Sequence, residues 1–195
     1  MTAKNAASAL IALAGVSLTT LVVTAGAPAR RPAAAVHGTR VELGRYLVST
    51  MGCNDCHTPL KLGPKGPEPD MERMLTGHPE ALRMPPPPAL PPGPWLTVSA
   101  ATNTAFAGPW GVSFAANLRP DKETGLGDWT EEQFVAAMRT GKHQGKGRAI
   151  LPPMPYFMLG NLVDDEIKAI FAYLQSLPPV KNRVPQPVDP PESAR

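Results

Sequence analysis

A mainly α domain of a few short helices, interrupted by one long irregular insert, is the fold class this sequence predicts, and three observations predict it. The chain holds 25 prolines among 195 residues, which favours long irregular connections over a large sheet. Near the C-terminus Ile167, Ile170, Phe171, Leu174 and Leu177 recur at helical spacing until Pro178-Pro179 stops them. The only two cysteines fall in one pentapeptide, Cys53-Asn54-Asp55-Cys56-His57, a C-x-x-C-H pattern that places a reactive centre on a single short turn.

The first 29 residues carry Lys4 as their only charge, followed by an apolar run rich in Ala, Leu and Val that ends in small residues. This is the pattern of an export signal, with cleavage expected at Ala27-Pro28-Ala29 or at Ala33-Ala34-Ala35. The run reaches about 20 residues, long enough to stay uncut as a membrane anchor. Either outcome puts the domain outside the cytoplasm, in the periplasm. The expected organisation is a leader over 1–29, one domain over 36–182 with an insert at 58–115, and a flexible Pro-rich tail over 183–195.

Val41 to Thr50 reads as a helix with Leu43, Tyr46, Leu47 and Thr50 on one side and Gly44 open to a neighbouring backbone. It leads straight into the Cys53–His57 turn. That pattern is the rule for covalent haem attachment: two thioether bonds from Cys53 and Cys56 fix a porphyrin, and the adjoining His57 faces the iron as its proximal ligand. A zinc site is disfavoured because no second ligand pair exists, and a thioredoxin-like pair because no βαβ pattern flanks it.

Thr58 to Pro94 reads as a linker or surface loop, since Gly63-Pro64, Gly66-Pro67 and the prolines at 85–88 bar both helix and central strand. From Trp95 to Asn117, apolar residues interleaved with small polar ones predict a short β-hairpin or an extended flap. Thr130 and Gln133 form a capping box for a helix through Thr140, with Phe134, Ala137 and Met138 inward and Gly141 as the left-handed stop. The last helix starts near Asp164, where Asp164, Asp165 and Glu166 suit the positive end of its dipole.

The sixth position on a haem iron decides between electron transfer and small-molecule binding. Met154, in Ile150-Leu151-Pro152-Pro153-Met154-Pro155-Tyr156, is the candidate ligand, because flanking prolines stiffen the loop that presents its thioether. His143, in a basic glycine-rich loop, is the rival. Met138 belongs to a helix face, Met158 lies beyond the stiff segment, and Met71, Met74 and Met84 lie in the insert.

The formal charge of +3 and a pI near 9.0 give nucleic-acid binding little support, because no dense basic stripe is interleaved with aromatics. Lys61, Lys65, Lys142, Lys146 and Arg148 are candidates for a local positive rim that docks an acidic partner in a salt-sensitive way.

With these residues in place, the chain resembles the bacterial class I cytochromes c, in particular single-haem domains with a long insert found in subunits serving periplasmic dehydrogenases and oxidases. The resemblance rests on Gly44-Arg45-Tyr46-Leu47, Gly52 to Pro59, Ala116 to Asp121, Thr124 to Thr130, Arg139 to His143, Pro152 to Tyr156 and Ala172 to Val180. It implies a class I cytochrome c fold around one covalent haem c, with iron held by His57 and Met154. It further implies that the first and last helices cross with Gly44 close to Tyr173, and that polar groups near Trp129 and Arg139 to Gly141 hold a propionate. The function expected is electron transfer between a periplasmic dehydrogenase or oxidase and a respiratory partner, with no catalytic residues of its own. The alternative is a haem enzyme or ligand sensor whose sixth position is open or displaceable. Val163 stands where the family often has a capping Ser or Thr, so the last helix is expected to rely on Asp164 or a nearby loop.

Overall fold

Helices supply the core and irregular backbone supplies most of what surrounds it. The computed structural model describes residues 38–88 and 93–190; the leader predicted over 1–29 lies outside them, as do 191–195 of the predicted tail. Among the described residues the α-helices are α1 (Arg40–Thr50), α2 (Cys53–His57), α3 (Glu131–Thr140), α4 (Tyr156–Leu159) and α5 (Asp164–Ser176). None of these helices is long and apolar enough to cross a membrane.

α1 begins with a capping box that the sequence reading missed. The Thr39 hydroxyl accepts from the Glu42 N–H at 3.2 Å, and the Glu42 carboxylate accepts from the Thr39 N–H at 2.7 Å. Its buried face is Leu43, Gly44, Leu47 and Val48. The predicted face included Tyr46 and Thr50, yet Tyr46 is 49% exposed and the Thr50 hydroxyl turns back onto the Tyr46 carbonyl at 2.9 Å. The crossing with α5 explains the rotation. A methyl group on Gly44 would overlap the carbonyl oxygen of Ala169 and lie 2.7 Å from Cβ of Tyr173, so the helices meet backbone to backbone at that point and the face turns toward Val48.

α3 forms as its sequence predicts. Thr130 and Gln133 bond reciprocally at 3.2 and 2.9 Å, and Gly141 ends the helix at φ +66°. Phe134, Ala137 and Met138 are buried, with the Phe134 ring 5.2 Å from that of Phe171 on α5. In α5, Val163 offers no acceptor, and only half a box remains, with the Glu166 carboxylate accepting from the Val163 N–H at 3.1 Å. Asp164, expected to serve the helix start, pairs with Arg139 at 2.6 Å and so links α5 to α3. Leu43, Val48, Leu75, Leu126, Phe134, Ile167, Ile170, Phe171 and Leu174 make one buried cluster between the helices, each large side chain contributing about 1.5–3 kcal/mol on burial.

The insert departs most from expectation. Among the described residues of the stretch read as a surface loop, β1 (Leu60–Gly63) and β2 (Gly66–Pro69) form an antiparallel hairpin in which Leu60 faces Pro69. Prolines survive in β2 because a two-stranded ribbon leaves one edge of each strand free of ladder bonds. Residues 75–79 are buried without belonging to any strand or helix. The short hairpin predicted within 95–117 forms as β4 (Ala105–Gly108) and β5 (Gly111–Phe114), and β3 (Val98–Ser99) adds a third antiparallel strand beside β4.

Residues 183–190, part of a Pro-rich tail expected from sequence either to wrap the surface or to be disordered, are fastened to this insert. The Arg183 N–H donates to the Glu80 carboxylate at 2.9 Å. Val188 exchanges both backbone bonds with Val112, at 2.8 and 2.9 Å. The neighbouring Asn182 side chain donates to the carbonyls of Thr76 and His78 at 2.7 and 2.9 Å and accepts from the Glu80 N–H at 2.8 Å.

Candidate haem site

α2 follows α1 after a single left-handed step at Gly52, φ +72°. Its one and a half turns place Cys53, Cys56 and His57 together. Both thiols are free and half-buried, and Cys53 packs against the helical core. Burial pushes the Cys53 thiol up to about 11, and burial followed by the Asp55 charge pushes Cys56 in the same direction. Neutral thiols close to each other on a fixed turn can each add to a vinyl group, sulfur to one carbon and hydrogen to the other.

His57 is 8% exposed, and its Nδ1 lies 2.8 Å from the carbonyl oxygen of Ala116. A carbonyl only accepts, so Nδ1 carries the proton and Nε2 keeps its lone pair. Burial lowers the imidazole pKa against the opposing pull of the Ala116 bond, favouring the neutral ring that a metal requires. Among the described residues Nε2 makes no hydrogen bond, which leaves it free to ligate.

The insert grips this turn at several further points. The Gly77 N–H donates to the His57 carbonyl at 2.8 Å, and the Leu75 N–H donates to the Thr58 hydroxyl at 2.9 Å. That hydroxyl in turn donates to the Asn54 side chain at 2.8 Å. The Asn103 amide donates to the Asp55 carbonyl, also at 2.8 Å. Sequence reasoning found none of these partners. Most are backbone groups, and the one signal available was Ala116-Asn117 standing in a motif whose role the residue types did not reveal.

Met154 packs against the same core cluster as Cys53. Its loop is tied by the Ser113 hydroxyl, which donates to the Pro152 carbonyl at 2.5 Å, and by the Ile150 N–H on the Gly141 carbonyl at 2.8 Å. The rivals stand elsewhere. His143 is exposed, its ring edge-on to Trp129 with centroids 4.8 Å apart. Met138 is a core side chain at 8% exposure, whereas Met158 on α4 is 54% exposed. Met74 touches the core cluster too, but beside Leu75 on the segment that grips Thr58.

Arg139, a candidate propionate partner, is committed to Asp164 and to the Gly160 carbonyl. Of the basic side chains, Lys61 lies 3.6 Å from Asp70, while Lys65, Lys142, Lys146 and Arg148 are exposed. The residues present fit a haem: two free thiols on one turn, a buried imidazole whose Nε2 makes no hydrogen bond among the described residues, and a thioether packed on the same core cluster as Cys53.

The chain belongs to the cytochrome c family, whose model, described as Cytochrome c, matches residues 41–178. Among its relatives is the fructose dehydrogenase cytochrome subunit of Gluconobacter japonicus, 25% identical over 169 residues that cover 84% of this chain and 28% of that protein. The cytochrome c subunit of the quinone-type alcohol dehydrogenase of Gluconobacter oxydans is 36% identical over 80 residues, 40% of this chain and 16% of the relative. The gluconate 2-dehydrogenase cytochrome c subunit of Pantoea cypripedii is 37% identical over 68 residues, 35% and 15% respectively. The chain thus spans less than a third of the length of these curated relatives. Family membership brings covalent haem c with its iron, and with it electron transport.

Proposed function

We propose that this protein carries single electrons between a dehydrogenase and a respiratory partner, through a haem c bound by Cys53 and Cys56 and ligated by His57 and Met154. The supporting observation is the setting of His57: buried one residue after Cys56, its Nδ1 bonded to the Ala116 carbonyl and its pKa lowered by burial, which favours the neutral ring. When bound, haem c supplies the one-electron ferrous/ferric couple. The chain's own residues set its surroundings. Cys53 and Cys56 fix the group to α2, His57 Nε2 donates a lone pair, and the Met154 thioether is the soft donor that favours the ferrous state and a comparatively high potential.

The crossing of α1 and α5 at Gly44, with the site turn leading out of α1, supports the class I arrangement. The dehydrogenase partner is inferred from the names of the relatives, and export to the periplasm from the leader over 1–29, cleaved or kept as an anchor. Exposed Lys65, Lys142, Lys146 and Arg148 support weak, salt-sensitive docking.

Optical spectra of the protein matured with haem c, in both redox states, test the reading. The ferric wild type should show the weak far-red band of sulfur-ligated haem, and Met154→Ala should lose it. A high-spin wild type would favour an open-site sensor or enzyme, and a variant spectrum identical to wild type would move ligation to His143 or another residue.

A further inference from the structure

The carbonyl that orients His57 sits in a slot only a glycine can line. Gly77 lies in the buried stretch 75–79 of the insert, at φ +75°. A methyl group there would be 2.5 Å from the Ala116 carbonyl oxygen, the atom that receives the His57 Nδ1 proton, and would overlap the Ala115 carbonyl oxygen as well. Contact that close is never sustained, so a side chain at 77 must push the 115–116 backbone aside. The same glycine donates its N–H to the His57 carbonyl at 2.8 Å. Gly77 therefore touches both ends of the unit that matters, the backbone of His57 and the acceptor of its ring proton.

Its own seat is fixed on both sides. Asn182 holds the carbonyls of Thr76 and His78, and the His78 N–H donates to the Ala115 carbonyl at 2.9 Å. We propose that Gly77 is a positioning residue for the axial histidine: by holding the Ala116 carbonyl against Nδ1, the insert sets how strongly His57 donates to iron. This inference rests on the reading of His57 as the proximal ligand. A firm Nδ1–H···O bond makes the imidazole more basic and favours ferric iron, so weakening it raises the reduction potential.

The experiment compares holoprotein carrying Gly77→Ala with Gly111→Ala, both titrated for reduction potential and both examined by proton NMR of the His57 ring N–H in the ferrous state. Gly111 is the control because it too has positive φ, +89°, and too close a backbone neighbour, but a methyl group there would meet the backbone of 188–190 and not that of 115–116. Loss of the bond in Gly77→Ala is expected to change the ferric preference about tenfold, an upward shift of about 59 mV for one electron. The ring proton should move upfield, while Gly111→Ala leaves both readouts at wild-type values. If Gly77→Ala does not accumulate, Asn182→Ala loosens the same seat and should shift both readouts in the same direction by less. Unchanged potential and ring proton in whichever of these variants is obtained, or equal shifts in Gly111→Ala, would overturn the inference. A wild type that is not low-spin and His57-ligated would instead overturn the proposed function beneath it.

Discussion

The two sides of the candidate haem site are built by different physics. On the His57 side, four positions in the insert and its exit, at 75, 77, 103 and 116, reach the turn through hydrogen bonds of 2.8 to 2.9 Å. On the Met154 side, apolar packing against the core and a proline-stiffened loop do most of the holding, with one side-chain bond from Ser113. The chemistry of the two proposed ligands explains the difference. An imidazole has two nitrogens that must be told apart, which requires a specific acceptor on one of them. A thioether is a weak acceptor with flexible bonds, so shape and dryness suffice. The polar side should therefore be rigid and intolerant of backbone change, and the apolar side softer and open to exchange.

The largest expected break in this contrast is His57→Ala, which should impair formation of stable holoprotein, whereas Met154→Ala should keep the haem attached, turn high-spin and lose the sulfur-ligand band while the potential falls. Pyridine haemochrome assays and ferric spectra of both variants check this. Truncating Met154 also removes a half-buried side chain, for a stability loss of about 2 kcal/mol in urea titrations. Next in size, Ser113→Ala should cost about 1 kcal/mol and speed displacement of Met154 by added imidazole. Asn103→Ala should cost a similar amount without altering that displacement rate, since its bond lies on the other side.

The smallest effect is on pH dependence, and it falls on the His57 side. His78 is fully buried, with Nε2 donating to the Leu82 carbonyl at 3.1 Å and Nδ1 3.0 Å from the Thr104 hydroxyl. Burial lowers its pKa below the ordinary 6.5 despite the Leu82 bond. The unfolded chain then binds more protons than the folded one, so this contribution to stability is full above about pH 6.5 and is lost as pH falls through and below it. Thermal melts of wild type and His78→Gln between pH 7 and 5 should show a shallower decline in the variant.

Much of the helical half was legible in the sequence, because caps and periodicity are local signals. Thr130, Gln133 and Gly141 bound α3 as written, and Ile167, Ile170, Phe171 and Leu174 line α5. The turn from Cys53 to His57 was equally plain. Errors arose where a choice depended on a distant neighbour. Whether Tyr46 or Val48 faced inward was settled by α5, more than a hundred residues later in the chain. The insert was misread as a loop because prolines and glycines signal only what the backbone cannot do, and the bonds that bury 75–79 come from 115, 118 and 182. No side-chain pattern announces that a carbonyl at 116 will meet an imidazole at 57.

The buried stretch 75–79 also separates local stability from secondary structure. The amides of Leu75 and Gly77 are bonded to Thr58 and His57, that of His78 to Ala115, and the carbonyls of Thr76 and His78 to Asn182, so opening it exposes Leu75 and His78 and detaches Asn182 together. Such a segment opens only with the core, although it contains neither helix nor strand. A protease should accordingly pass over 75–79 and cut beside the exposed run from Met84 to Pro88, and the nicked protein should remain in one piece, its two fragments held by the bonds from 115, 118 and 182 to the buried stretch.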